Sequence, residues 1–152
     1  MIKDKISYQQ VMNDLQRKIY HPVYFLFGDE NYYIDKISDF ISNNVLSHDE
    51  KSFNQTILYG KETSVTELIN TAKRFPMMAN HQVVILKEGQ ELKDFDNLIH
   101  YIEQPLNSTI LVLNYKYKKP DNRKKIFKTL QGKSVFFESK KIYDDKIPVW
   151  IA

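Results

Sequence analysis

Cysteine is absent from this chain of 152 residues. That excludes a disulfide framework, a thiolate metal site and a cysteine nucleophile, and it is compatible with a reducing compartment. Only 4 glycines and 5 prolines are present, which leaves little material for flexible linkers. No apolar run reaches the roughly 18 residues that a membrane span needs. The opening Met1-Ile2-Lys3-Asp4-Lys5 leads into polar Ser7-Tyr8-Gln9-Gln10 without an apolar signal core. The expectation is a cytoplasmic protein with no membrane partner.

What is present suits one folded domain: 42% hydrophobic and 27% charged residues, with 10 tyrosines and 9 phenylalanines. The net charge of +3 is unevenly spread. Residues 1–115 hold 11 Lys/Arg and 15 Asp/Glu, or 11 − 15 = −4, and residues 116–152 hold 11 and 4, or 11 − 4 = +7. Most of the excess lies in residues 116–128, where Lys116, Lys118, Lys119, Arg123, Lys124, Lys125 and Lys128 face one acid, Asp121. Tyr115, Tyr117 and Phe127 are interleaved with them, a pattern that can track a phosphate backbone and stack bases, or equally form a solvated loop and helix face.

Four short, nearly continuous apolar runs predict strands covered on both faces: Val23-Tyr24-Phe25-Leu26-Phe27, Val83-Val84-Ile85-Leu86, Ile110-Leu111-Val112-Leu113 and Val135-Phe136-Phe137. Asn54-Gln55-Thr56-Ile57-Leu58 is a weaker candidate. Helical spacing joins Val11, Leu15 and Ile19; Ile34, Ile37, Ile41 and Val45; Val65, Leu68, Ile69 and Ala72; Phe95, Leu98, Ile99 and Ile102; and Ile126, Phe127 and Leu130. Ser7-x-x-Gln10 and Ser64-x-x-Glu67 have capping-box spacing. The alternation predicts a parallel sheet flanked by helices. At the end, Pro148-Val149-Trp150-Ile151-Ala152 reads as the first turn of a further helix with no C-cap, so the chain is expected to be part of a longer protein.

A parallel α/β sheet directs the search for chemistry to the turn after the first strand. A phosphate-binding loop needs G-x-x-x-x-G-K-[ST], so that backbone N–H groups wrap the phosphates and a lysine neutralises them. Here Gly28 is present, but the second glycine, the lysine and the hydroxyl fall on Tyr33, Ile34 and Asp35. Asp29 and Glu30 add negative charge where a phosphate would dock, and suit instead the positive end of the next helix. The four histidines (21, 48, 81 and 100) have no metal-ligand spacing. There is no G-x-S-x-G. Asp35 and Asp39 share a helical face but read as surface residues. No intrinsic catalysis, catalytic residue, metal or cofactor is expected.

Three segments carry a resemblance. Pro22-Val23-Tyr24-Phe25-Leu26-Phe27-Gly28-Asp29-Glu30 resembles the opening strand and turn of the delta subunit family of the bacterial DNA polymerase III clamp loader. Phe75-Pro76-Met77-Met78-Ala79-Asn80-His81-Gln82-Val83-Val84-Ile85-Leu86 resembles that family's central motif and the strand after it. Asp121-x-Arg123-Lys124-Lys125-x-Phe127-Lys128 after Leu111-Val112-Leu113 is the third match, and Trp150-Ile151 matches the start of the next helix. The order and spacing of these pieces hold over nearly the whole chain.

The resemblance implies a P-loop NTPase (AAA+)-like domain over residues 1–143 without a functional phosphate-binding loop, followed by the start of a lid domain over 144–152. ATPases of this class end the third strand in paired acids for magnesium, whereas here Leu86 leads into Lys87-Glu88 and one acid remains. Asn114 falls at a sensor position, where strand-end capping is the expected role. The implied partners are the sliding clamp (beta subunit), other clamp-loader subunits, and DNA within the assembled loader. The implied clamp-binding wedge is Phe75, Pro76, Met77 and Met78. Lys118, Lys119, Arg123, Lys124, Lys125 and Lys128 are candidate contacts to DNA or to another subunit, and the alternative function is a nucleic-acid-binding module.

The residues themselves bear on the wedge. A helix over 65–74 has its apolar face complete, and Phe75 continues that face at plus three from Ala72, which makes it the candidate for the core. Pro76 breaks the helix. Met77 and Met78 are adjacent and cannot both follow one buried stripe, so at least one is expected to face outward.

Overall fold

The computed structural model describes residues 6–141. The expected helix at Pro148 and the boundary between 1–143 and 144–152 lie outside them. The order of elements is α1 (Tyr8–Gln16), β1 (Val23–Gly28), α2 (Asn31–Asn44), α3 (His48–Asn54), β2 (Gln55–Tyr59), α4 (Val65–Ala72), β3 (Gln82–Lys87), two 3-10 turns at Gly89–Glu91 and Phe95–Leu98, α5 (Ile99–Glu103), β4 (Thr109–Lys116), α6 (Lys125–Lys133) and β5 (Val135–Ser139). The five strands form one sheet in the order β2-β3-β4-β1-β5. Every pairing is parallel, with Phe25 opposite Leu113 and Phe136, and Ile85 opposite Ile57 and Val112.

The continuous apolar runs have a simple cause. Successive side chains of a strand point to opposite faces, and both faces here are covered. Val23, Phe25, Phe27, Val84, Leu86, Leu111 and Leu113 enter one core beneath α4, α5 and α6. Tyr24, Leu26, Val83, Ile85, Ile110, Val112 and Phe137 enter the other, beneath α1 and α2. On the first face Phe25 contacts Phe27, Phe95, Tyr115, Phe127 and Phe136, with ring centroids 5.4–6.2 Å apart. The expected α/β class, a parallel sheet flanked by helices, is what the chain adopts.

Local differences from the sequence reading are each explicable. The capping box at Ser7 and Gln10 forms, but α1 stops at Gln16, and Ile19, expected on its buried stripe, is 40% exposed. Ser64 caps α4 by accepting from Glu67 N–H, whereas the Glu67 carboxylate takes the Thr63 hydroxyl, so the reciprocal half of that box is missing. The expected helix at 95–102 opens as a 3-10 turn, because Asp94 sits in the left-handed region at φ 60. Asn54, expected in a strand, closes α3, a helix that the hydrophobic spacing does not reveal.

Candidate functional site

The turn between β1 and α2 is bound up with its neighbours. Gly28 has φ +129, and a Cβ there would lie 2.1 Å from the Ser139 carbonyl oxygen, so glycine is required by space as well as by conformation. Its carbonyl accepts from Tyr117 N–H at 3.2 Å, and Glu30 N–H donates to Ser139 O at 3.4 Å. The Ser139 hydroxyl donates to Glu30 O at 2.5 Å. Glu30 is the N-cap of α2, its carboxylate accepting from Tyr32 N–H at 3.0 Å. The N–H groups that would face a phosphate at a helix N-terminus are thus engaged in part by the chain's own oxygens.

Beside this turn, the Lys116 ammonium lies 2.7 Å from Asp35 Oδ1 and 3.9 Å from Glu88 Oε2, with 13% of the lysine side chain exposed. The single acid at the end of β3 therefore faces a cation of its own chain, and Gln90 Nε2 donates to its other oxygen at 3.0 Å. Asn114 does not cap a strand end. β4 runs on to Lys116, and the buried Asn114 side chain donates to Ser38 Oγ of α2 at 3.2 Å, its own Oδ1 having no hydrogen-bond partner among the described residues.

The segment between α4 and β3 is different in character. α4 buries Val65, Leu68, Thr71 and Ala72 and ends there, with Lys73 as C-cap. The expected continuation of its apolar face to Phe75 does not occur: the last helical residue is Ala72, the phase is lost, and Phe75 is 75% exposed. Pro76 is half-buried. Met77 is 61% exposed and Met78 100% exposed, the latter with φ 56 in the left-handed region. Three large apolar side chains in four residues thus face water, where a scattered single one would need no explanation.

This exposed loop has a built base. Gln82 is buried at the start of β3, and its Nε2 lies 2.9 Å from Thr71 O, 3.2 Å from Ala72 O, 2.6 Å from Arg74 O and 3.0 Å from Thr109 Oγ1. The Thr109 hydroxyl donates to Ala72 O at 2.6 Å. The carbonyls that α4 leaves open at its C-terminus are satisfied by β3 and β4. Across the loop, Asn54 accepts from Met77 N–H at 2.7 Å and donates to Met77 O at 2.9 Å. Sequence reasoning missed Asn54 and Gln82, because their roles are tertiary. The Ser47-x-x-Glu50 capping box, formed in the structure, was the available signal for α3.

A family model described as DNA polymerase III, delta subunit, matches residues 24–140. The chain belongs to the DNA polymerase III delta subunit family. It is 30% identical over 142 residues to the DNA polymerase III subunit delta of Bacillus subtilis (strain 168), covering 87% of this chain and 41% of the relative. A delta-family chain of this length therefore spans well under half of that relative. The Bacillus subtilis DNA clamp loader delta protein superposes with a TM-score of 0.85 at 27% identity, over 95% of this chain and 45% of the other. A DNA polymerase III gamma subunit-related protein from Thermotoga maritima shares the fold at a TM-score of 0.55 and 11% identity, over 91% of this chain and 47% of the other.

In this delta-family domain the two groups of candidate contacts are not brought together. Phe75, Pro76, Met77 and Met78 precede β3, at the end of the sheet where the parallel strands begin. The basic stretch follows β4, at the opposite end, a strand length of roughly 20 Å away. Nor does the stretch act as one field. Lys116 is paired as above, Arg123 binds Asp121 through Nε and Nη2 at 3.0 and 3.2 Å, and Lys124 lies 3.5 Å from Asp96. The Arg123 hydrogen bonds hold the Asp121 carboxyl below its usual range. Lys118, Lys119, Lys125 and Lys128 are exposed and make no ion pair with a described residue.

Proposed function

We propose that this domain is the part of a clamp-loader delta subunit that binds the sliding clamp, the loop of Phe75, Pro76, Met77 and Met78 entering an apolar pocket on the ring and helping to open it during DNA replication. The observation that carries this reading is the full exposure of Met78 on a loop whose backbone is fixed from beneath. Methionine adapts to irregular apolar pockets, and burying one such side chain contributes about 1.5–3 kcal/mol. Lys73 and Arg74, both exposed, flank the loop and favour an acidic rim on the partner. The name of the Bacillus subtilis clamp loader delta protein supports assembly with other loader subunits.

The domain acts by binding and not by catalysis, without nucleotide, metal or cofactor. In support, Lys116 lies against Asp35 and Glu88, and Ser139 takes up the N–H of Glu30 at the turn. Titration of the domain against a cognate sliding clamp tests the reading. Met77→Ala with Met78→Ala should weaken the complex by about a hundredfold, since the two losses together exceed 2.8 kcal/mol. Thermal unfolding should move by no more than about 1 °C, both side chains being exposed. Unchanged affinity refutes the reading.

A second reading rests on Lys118, Lys119, Lys125 and Lys128, four exposed lysines that make no ion pair with a described residue. Together with Arg123 and Lys124 they can contact DNA within the assembled loader, or another subunit. If they bind DNA, replacing the four by glutamine should lower affinity and reduce the slope of log K against log salt by about 3–4. A salt slope that is the same in both proteins removes this reading.

A further inference from the structure

Beyond the Gln82 bond to Arg74 O and the edge contact of the His81 ring with Tyr20, a single side chain ties the described loop after α4 to the rest of the molecule. Among the described residues, the backbone of residues 75–81 makes two hydrogen bonds, both to Asn54. Pro76 has no N–H to offer. Asn54 is 3% exposed at the last position of α3. Both polar atoms of its amide are engaged: Oδ1 accepts from Met77 N–H at 2.7 Å, and Nδ2 donates to Met77 O at 2.9 Å and to Glu50 O at 3.0 Å. The side chain thus pairs with Met77 as a neighbouring strand would, exchanging both an N–H and a C=O bond with one residue. The Glu50 bond fixes the amide to the preceding turn of its own helix, so α3 itself helps to orient it toward Met77.

We infer that Asn54 is the positioning residue of the exposed loop, holding Met77 so that Met78, in the left-handed conformation one residue on, projects fully from the surface. This rests on the reading of that loop as a docking element, which it deepens. Fixing the backbone of one residue in a single conformation costs conformational entropy. A loop already ordered in the free protein does not meet that cost on binding. Without Asn54 the loop must be ordered by the partner itself.

The test uses Asn54→Ala, with Leu130→Ala, in the distant α6 core, as a control for lost stability. Amide hydrogen exchange of the free protein is read at Met77, and affinity is read by titration with a cognate sliding clamp. In Asn54→Ala the Met77 amide should lose its protection while strand amides keep theirs, and affinity should fall about tenfold or more. Leu130→Ala should leave both unchanged. Asn54→Asp, which keeps the acceptor for Met77 N–H but sets an oxygen against Met77 O, should fall between and serves if the alanine variant does not fold.

Retained protection of Met77 in Asn54→Ala overturns the inference. So does lost protection with unaltered affinity, when the double methionine variant binds weakly. Should the double methionine variant bind the clamp normally, the docking reading fails. Met77 exchange in the free protein then still decides whether Asn54 orders the loop.

Discussion

Replacing Gln82 with leucine keeps the size and burial of the side chain and removes the amide nitrogen that closes the end of α4. That nitrogen lies within hydrogen-bond distance of three carbonyls and the Thr109 hydroxyl. The carbonyls are not equally dependent on it. Ala72 O keeps the Thr109 hydroxyl, and Thr71 O keeps the N–H of Lys73 and of Arg74. Arg74 O, at 2.6 Å from Gln82, keeps no partner among the described residues. An orphaned carbonyl costs about 1–3 kcal/mol, and the weakened second bond adds about 0.5–1 kcal/mol. The loss should be about 2–3 kcal/mol. At this chain length, where 1 kcal/mol shifts Tm by roughly 2–4 °C, that is a fall of about 4–12 °C. Thermal and urea unfolding followed by circular dichroism measure it, and hydrogen exchange should show the last turn of α4 opening before the sheet. A Tm within about 1 °C of the parent would refute the account of how this helix is terminated.

Gly28→Ala should be among the most damaging single changes, costing more than about 3 kcal/mol in urea unfolding. It combines a strained positive φ with overlap on the Ser139 carbonyl. Tyr24 provides a pH test: burial pushes its hydroxyl up to about 12. In the unfolded chain the phenol ionises near its ordinary value of about 10, so the unfolded state binds fewer protons above that point. Stability contributed by the buried neutral ring is intact below pH 10 and falls as pH rises from 10 to 12, by about 2–3 kcal/mol in all. In Tyr24→Phe the slope of stability against pH over that window should flatten. An unchanged slope would assign the alkaline transition to other groups.

How far the fold could be read from the residues depended on burial. β1, β3 and β4 were legible because both of their faces are sealed, which removes polar residues from the run and leaves a continuous apolar stretch. β2 was faint because it is an edge strand whose Ile57 and Tyr59 are 40% and 46% exposed. α3 escaped because it buries only Asn54 and so carries no hydrophobic stripe at all. Phe75 was misjudged as a core candidate because its spacing from Ala72 matters only if the helix continues, and the capping by Gln82 and Thr109 that ends it comes from strands distant in sequence. The outward direction expected of at least one methionine holds for both. Asn54 was beyond reach because its partner lies 23 residues away and nothing in the local pattern distinguishes it from any other polar residue at a helix end.

The hydrogen-bonded ladder between β3 and β4 fixes the distance between the methionine loop and the lysine-rich segment. A body of this kind behaves as a strut. The two poles lie a strand length apart, so a ligand seated on one would leave the other uncovered.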